Sequence, residues 1–227
     1  MRLVARRHRA NGWRVAAFAA LWLIAGGGCA RAQDAAARPR EPIVGLPCEG
    51  CELVFEGMPA TIATAARIAP ATELGEPLRI EGTVVDGRGK PAAGVIVYAY
   101  HTDARGLYPP LERARGAALV RHGRIRGWAL TDASGRYRFD TIRPASYPES
   151  TIPQHVHMHI IEVGRCTYWI DDLLFADDPH LTAEERDRIQ NPRGGPGIAT
   201  PQRDSTGCWI ATRDIVLGAN VPGYLAP

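Results

Sequence analysis

Lysine is almost missing from this chain: Lys90 is the only one among 227 residues, and arginine supplies nearly all the positive charge. Acidic residues are missing from the first 32 positions, which carry Arg2, Arg6, Arg7, Arg9, Arg14 and Arg31. The formal charge of +3 therefore belongs to that segment, and the remainder balances to 21 − 24 = −3. A mildly acidic body offers no electrostatic footprint for nucleic acid or for anionic lipid. The apolar run Val15–Ala25 is too short to span a bilayer, which needs roughly 20 such residues. No internal repeat is present, which leaves one domain. With 45% hydrophobic and 22% charged residues, a disordered, collagen-like or coiled-coil chain is excluded as well.

What the first residues do have is an order: an arginine-rich stretch, an apolar core, then small residues. Residues 1–32 read as a secretory signal, cut after Ala30-Arg31-Ala32 and before Gln33. Gly27-Gly28-Cys29 also fits a bacterial lipoprotein site, at which Cys29 would carry lipid and tether the protein. Both readings export the mature chain, to the periplasm or the exterior.

Four cysteines remain, and an even number in an exported chain reads as disulfides, with three pairings formally open. Cys48-Glu49-Gly50-Cys51 has no second CxxC and no βαβ context, so a local staple is expected there rather than a redox or zinc motif. Cys166–Cys208 is then the expected second bridge, pinning the C-terminal segment to the sheet.

Residues 33–74 form an N-terminal arm that includes the CxxC, with Ala35–Pro47 rich in Ala, Pro and Arg and expected to be loose. From 75 to 220 the pattern becomes short strands with Gly/Pro turns: Arg79–Asp86, Gly94–His101, Arg126–Thr131, Arg136–Arg143, His155–Val163 and Asp214–Leu217. That spacing predicts an all-β protein, an antiparallel β-sandwich with long loops, carrying its functional site at one edge. One short helix is predicted outside the sheets, over 183–190, from the capping box of Thr182 and Glu185 and the Asn191-Pro192 stop.

Chemistry concentrates in Pro153-Gln154-His155-Val156-His157-Met158-His159-Ile160. Alternation puts His155, His157 and His159 on one face and Val156, Met158 and Ile160 on the other. Neighbouring same-face residues sit roughly 6.6 Å apart, so two adjacent histidines reach one metal while all three do not. His157 belongs to either pair, and His155 and His159 are alternatives. Imidazole alone does not select among zinc, copper, iron and nickel. Tyr108 in Gly106-Leu107-Tyr108-Pro109 and Tyr147 in Ser146-Tyr147-Pro148 are the further candidates.

The motifs Gly82-Thr83-Val84-Val85-Asp86, Val97-Tyr98-Ala99-Tyr100-His101-Thr102-Asp103-Ala104-Arg105-Gly106-Leu107-Tyr108, Thr131-Asp132-Ala133-Ser134-Gly135-Arg136-Tyr137-Arg138-Phe139, Thr141-Ile142-Arg143-Pro144-Ala145-Ser146-Tyr147-Pro148 and Pro153-Gln154-His155-Val156-His157 follow one another in the chain. In that order the sequence resembles the intradiol ring-cleavage dioxygenases over about residues 75–178. The resemblance implies Fe(3+) held by Tyr108, Tyr147, His155 and His157, with His159 left over. It implies a small aromatic diol and O2 as substrates and a muconate-type diacid as product. By position, Tyr147 is the tyrosine that leaves the metal and takes a substrate proton. Phenolate is a hard anionic donor suited to a trivalent metal, which lowers the phenol pKa enough to hold it deprotonated. Two departures stand out: Ile152 occupies the place of the family's substrate-binding arginine, and Asp172 that of a glutamine. The helical dimerisation region of catechol-type members is missing, as in the secreted, single-domain branch.

Two other readings fit parts of the pattern. A transthyretin-like or carboxypeptidase-regulatory-like sandwich would explain the opening strands but has no use for Tyr108, Tyr147, His155 and His157 together. A zinc or copper protein would use the histidines alone.

Overall fold

The structure, a computed structural model, describes residues 41–48, 50–110 and 116–225. Two sheets face each other. One runs β1 (Ala65–Arg67), β5 (Arg136–Ile142), β2 (Pro77–Val85), β10 (Trp209–Thr212), β9 (Gln202–Arg203), with β11 (Ile215–Val216) also on β2. The other runs β4 (Arg126–Leu130), β3 (Val95–Tyr100), β6 (His155–Glu162), β7 (Cys166–Phe175), β8 (Ile198–Ala199). The central ladders are antiparallel, as the sequence pattern predicts. The additions β1, β8, β10 and β11 pair in parallel. β1 lies upstream of the domain start expected at residue 75.

Alternation decides which residues face inward. Val95, Val97 and Ala99 of β3 and Val156, Met158 and Ile160 of β6 pack against Leu78, Ile80, Tyr137 and Phe139 of the opposite sheet. Removing a side chain of this kind typically costs about 2–5 kcal/mol through lost transfer energy and the cavity left behind. The reverse face of β3 is buried too. Ile96, Tyr98 and Tyr100 join Ile161, Val54 and Phe55 in a second cluster, under a 3-10 helix at Cys51–Phe55. With both faces covered, β3 reads as a continuous apolar run rather than an alternating one.

Several expectations need correcting. The segment expected to be loose is, over its described part, paired to the edge of β7. Thr167 N donates to Pro42 O at 2.9 Å, and Val44 N donates to Thr167 O at 3.0 Å. Trp169 Nε1 donates to Pro47 O at 2.9 Å, while Arg193 donates to Gly45 O and lies 3.8 Å over the Trp169 ring. An open strand edge presents unpaired backbone groups, and this segment satisfies them.

The Cys48–Cys51 disulfide is present. Cys166 and Cys208 are free, so the bridge expected between them is not made. Cys166 opens β7 in one sheet, its thiol on Glu162 Oε1, whereas Cys208 precedes β10, which pairs with β2 in the other. The C-terminal segment is held by that strand pairing instead.

The capped helix α2 spans Ala183–Arg188, with Thr182 Oγ1 accepting from Glu185 N at 3.2 Å. A second helix, α1 (Ala117–Arg121), was not legible, being five residues long with no side-chain cap. The expected signal segment 1–32 and Cys29 lie outside the described residues. Among the described residues no helix is long and apolar enough to cross a membrane.

Candidate metal centre

β6 is the third of the five strands in its sheet, and His155 and His157 stand at its beginning, where β3 ends at Tyr100. Each ring of the first two is fixed by its outer nitrogen. His155 Nδ1 donates to Pro153 O at 2.7 Å, and His157 Nδ1 donates to Asp172 Oδ1 at 3.0 Å. Both tautomers are thereby set, leaving the Nε2 lone pairs to face inward, the arrangement usual for metal-binding imidazoles.

A bulge supplies the second of these partners. Val156 pairs with Leu173 and Met158 with Ile170, so Asp171 and Asp172 together oppose His157 alone. Bulges re-aim side chains beside functional sites. This one brings Asp172 to the imidazole. Enclosure alone would raise the Asp172 carboxyl, but the surrounding imidazoles, His157 first among them, together hold it below the usual range.

The tyrosines arrive on two loops zipped together. Ala145 N donates to Asp103 O at 3.1 Å, and Thr102 Oγ1 donates to Ala145 O at 2.7 Å. Gly106, with φ +78°, lets the loops close: a Cβ there would stand 1.9 Å from Ser146 O. The residue two places after Gly106 is Tyr108, and the residue after Ser146 is Tyr147. Their hydroxyls share a 2.7 Å hydrogen bond. Tyr108 Oη lies 2.8 Å from His157 Nε2, and Tyr147 Oη lies 3.1 Å from His155 Nε2 and 3.5 Å from His157 Nε2.

The structure thus brings four of the five sequence candidates to one point. Two phenols offer two protons to a cluster whose two imidazole nitrogens offer only lone pairs. Burial raises the pKa of both phenols, so without a cation they stay neutral. Such a surplus of lone pairs fits a metal that accepts all four donors, and two hard oxygens with two imidazoles suit iron.

The fifth candidate does not join them. His159 is buried, its Nε2 3.9 Å from Cys48 Sγ and its ring edge-on to Tyr98.

Sequence reasoning gave no role to Tyr100 or His122. Tyr100 is sandwiched between His157, at 4.6 Å between centroids, and His122, at 3.9 Å. Alternation alone would have put Tyr100 on the face of Ile96 and Tyr98, but not the ring from α1's C-cap across it. A cavity of about 600 Å³ opens over Tyr108, Tyr147, His157 and Asp172. Pro47, Trp169 and Ile170 give it an apolar wall, and Arg121 lines it with positive charge. Ile152 is exposed.

Residues 55–193, more than half of the chain, match the protein-family model described as Dioxygenase. Over 113 residues the chain is 32% identical to the protocatechuate 3,4-dioxygenase beta chain of Burkholderia cepacia, a match covering 48% of each. The chain thus spans about half the length of that curated relative. Among solved structures, the dioxygenase domain of a dioxygenase–carbohydrate-binding protein fusion from Streptomyces sp. SirexAA-E aligns with TM-score 0.52 and 23% identity, over 73% of this chain and 96% of that one. Hydroxyquinol 1,2-dioxygenase from Pseudomonas putida DLL-E4 aligns with TM-score 0.54 and 22% identity, over 79% and 66%. At those identities the structural likeness speaks for the fold, and the family match speaks for the sequence. Together they place the protein: the chain belongs to the intradiol ring-cleavage dioxygenases, a family that uses non-haem iron.

Proposed function

We propose that this chain holds Fe(3+) through Tyr108, Tyr147, His155 and His157 and cleaves a catechol-type ring between its two hydroxyls with O2, giving a muconate-type diacid. The observation that carries the reading is the convergence of two phenol oxygens and two Nε2 lone pairs, with both Nδ1 atoms already anchored. Bound ferric iron would supply Lewis acidity and a template for the diol.

The protein's own groups do the rest. Tyr147 touches Tyr108, His155 and His157, so it would help hold the metal, and its oxygen stands where it could take a substrate proton. Burial raises its pKa, which would make its phenolate a strong base for a catechol hydroxyl. Asp172 keeps the His157 lone pair aimed inward. Pro47, Trp169 and Ile170 offer a flat apolar surface to the ring. Arg121, rather than a residue at position 152, supplies the positive charge that an anionic ring substituent would meet.

The mature chain is exported, on this reading, after loss of residues 1–32 or with a lipid on Cys29. The Cys48–Cys51 disulfide supports an oxidising compartment.

Iron-loaded protein should be red-brown from tyrosinate-to-iron charge transfer. Incubated in air with catechol, protocatechuate and hydroxyquinol in turn, it should raise the absorbance of a muconate-type product with at least one. A coloured protein inert toward all three would overturn the activity, and a colourless zinc-loaded protein would overturn the metal.

A further inference from the structure

The disulfide and His159 are left unused by the iron site, and they lie together. Cys48 Sγ, Cys51 Sγ and a ring nitrogen of His159 all stand within 4.8 Å of one another. His159 Nε2 is 3.9 Å from Cys48 Sγ, and its Nδ1 is buried without a hydrogen-bond partner. A core imidazole with one nitrogen orphaned and the other against sulfur is costly to keep for packing alone.

A fourth donor faces the same motif. Gly50, between the two cysteines, has φ +86°, and a Cβ there would sit 2.7 Å from His122 Nε2. His122 Nδ1 is anchored on Tyr98 Oη at 2.8 Å. When Nδ1 is the donor of that bond, the Nε2 lone pair is turned toward the CxxC.

We propose that Cys48, Cys51, His159 and His122 form a second metal site, for a thiophilic divalent cation of the zinc class, which opens when the disulfide is reduced. Donors of a tetrahedral zinc site stand about 3.5 Å apart, given Zn–S and Zn–N bonds of about 2.3 and 2.1 Å. The His159–Cys48 separation is already close to that. The C-x2-C spacing is the one that closed structural sites use for their cysteine pair, and here the fold rather than the local sequence brings the two histidines to it.

The chemistry balances with a dithiol as reductant. Its thiolate attacks Cys48 Sγ, which is half-buried whereas Cys51 is fully enclosed. The Cys48–Cys51 bond breaks, the dithiol closes to its own disulfide, and two electrons and two protons pass to the cysteines. Binding the cation then releases both thiol protons. No ligand is shared with Tyr108, Tyr147, His155 and His157, so the two sites stand or fall separately.

The test uses the full chain, reduced with dithiothreitol, desalted without air and titrated with Co2+. The expected result is an intense thiolate-to-cobalt charge-transfer band that saturates at one equivalent beyond any cobalt held at the iron site, and no such band in the oxidised chain. Cys48→Ser and Cys51→Ser should each abolish the band, Cys166→Ser and Cys208→Ser should leave it, and His159→Gln should weaken binding at least tenfold. Cobalt at the iron site has no thiolate and gives no such band. A reduced chain without the band overturns the proposal, as does a band that survives Cys48→Ser and Cys51→Ser but is lost with Cys166→Ser or Cys208→Ser. The cysteine variants keep the test decisive even if His159→Gln folds poorly.

Discussion

The hydroxyls of Tyr108 and Tyr147 meet at 2.7 Å although 39 residues separate them. Neither loop makes that contact alone. The close approach of Gly106 to Ser146 draws the loops together, so the two phenols are presented as a pair before any metal arrives.

Losing one oxygen of that pair should separate binding from turnover. Tyr147→Phe should retain iron, because Tyr108, His155 and His157 remain and water can fill the vacant position. Its turnover should fall by roughly two to four powers of ten, the usual loss for a removed general base. Iron analysis beside the rate of product formation checks both halves. A variant that loses the metal entirely would make Tyr147 an anchor rather than a base.

The histidine strand offers a sharper test. His157→Ala and His155→Ala should lose iron, while His159→Ala should keep it, since that ring faces Cys48. Metal content of the three purified variants decides it. Iron retained in His155→Ala and absent from His159→Ala would place the centre one pleat further along β6.

Asp172 acts through His157 and touches no donor position facing inward. Asp172→Ala should weaken iron binding by about 10- to 100-fold, as loss of an imidazole's outer partner typically does. Asp172→Asn keeps an acceptor oxygen and should recover most of it. Equal losses in both variants would mean that charge, not ring orientation, is what Asp172 contributes.

Stability should depend on pH through His101, which is none of the four donors although it lies close enough to His155 and His157 to feel their charge. His101 is buried, donating from Nδ1 to Thr102 O and accepting at Nε2 from Thr141 Oγ1, both at 2.7 Å. Burial lowers its pKa from 6.5 to about 4. The unfolded chain therefore takes up a proton that the folded chain refuses between those values. Stability is complete above pH about 6.5 and declines as pH falls toward 4, by about 3 kcal/mol at most. Urea unfolding of His101→Gln across that range should show a shallower decline than the parent protein. Parallel curves would remove His101 from the account.

Much of the site was open to reading because it follows a period of two. His155, His157, Val156 and Met158 go to the faces that strand alternation assigns them. What alternation cannot show is the third dimension above the sheet. His159 obeys the same rule as His157, yet the 3-10 helix and its disulfide cover it, and no local signal marks where such a cap ends. Likewise Tyr100 lies on the expected face, but His122 comes from a five-residue helix too short to leave a periodic trace. The Cys166–Cys208 pairing failed for a related reason. Counting cysteines says nothing about which sheet a late strand joins, and β10 pairs with β2 rather than returning to β7. Asp172 was reachable only by resemblance, since a bulge breaks the register that would have located it.

The segment from Glu41 to Pro47 ends in a hydrogen bond to Trp169 and contributes Pro47 to the cavity wall. A fragment cut to the family match at residues 55–193 would discard it, together with the late strands that pair with β2. Such a fragment would keep all four donor residues and still expose the edge of β7 and open the cavity on one side. The unit that evolution recognises by sequence is thus smaller than the unit that must be expressed. For anyone making this protein, the purification tag belongs upstream of Glu41 and the C-terminus must extend beyond Val216.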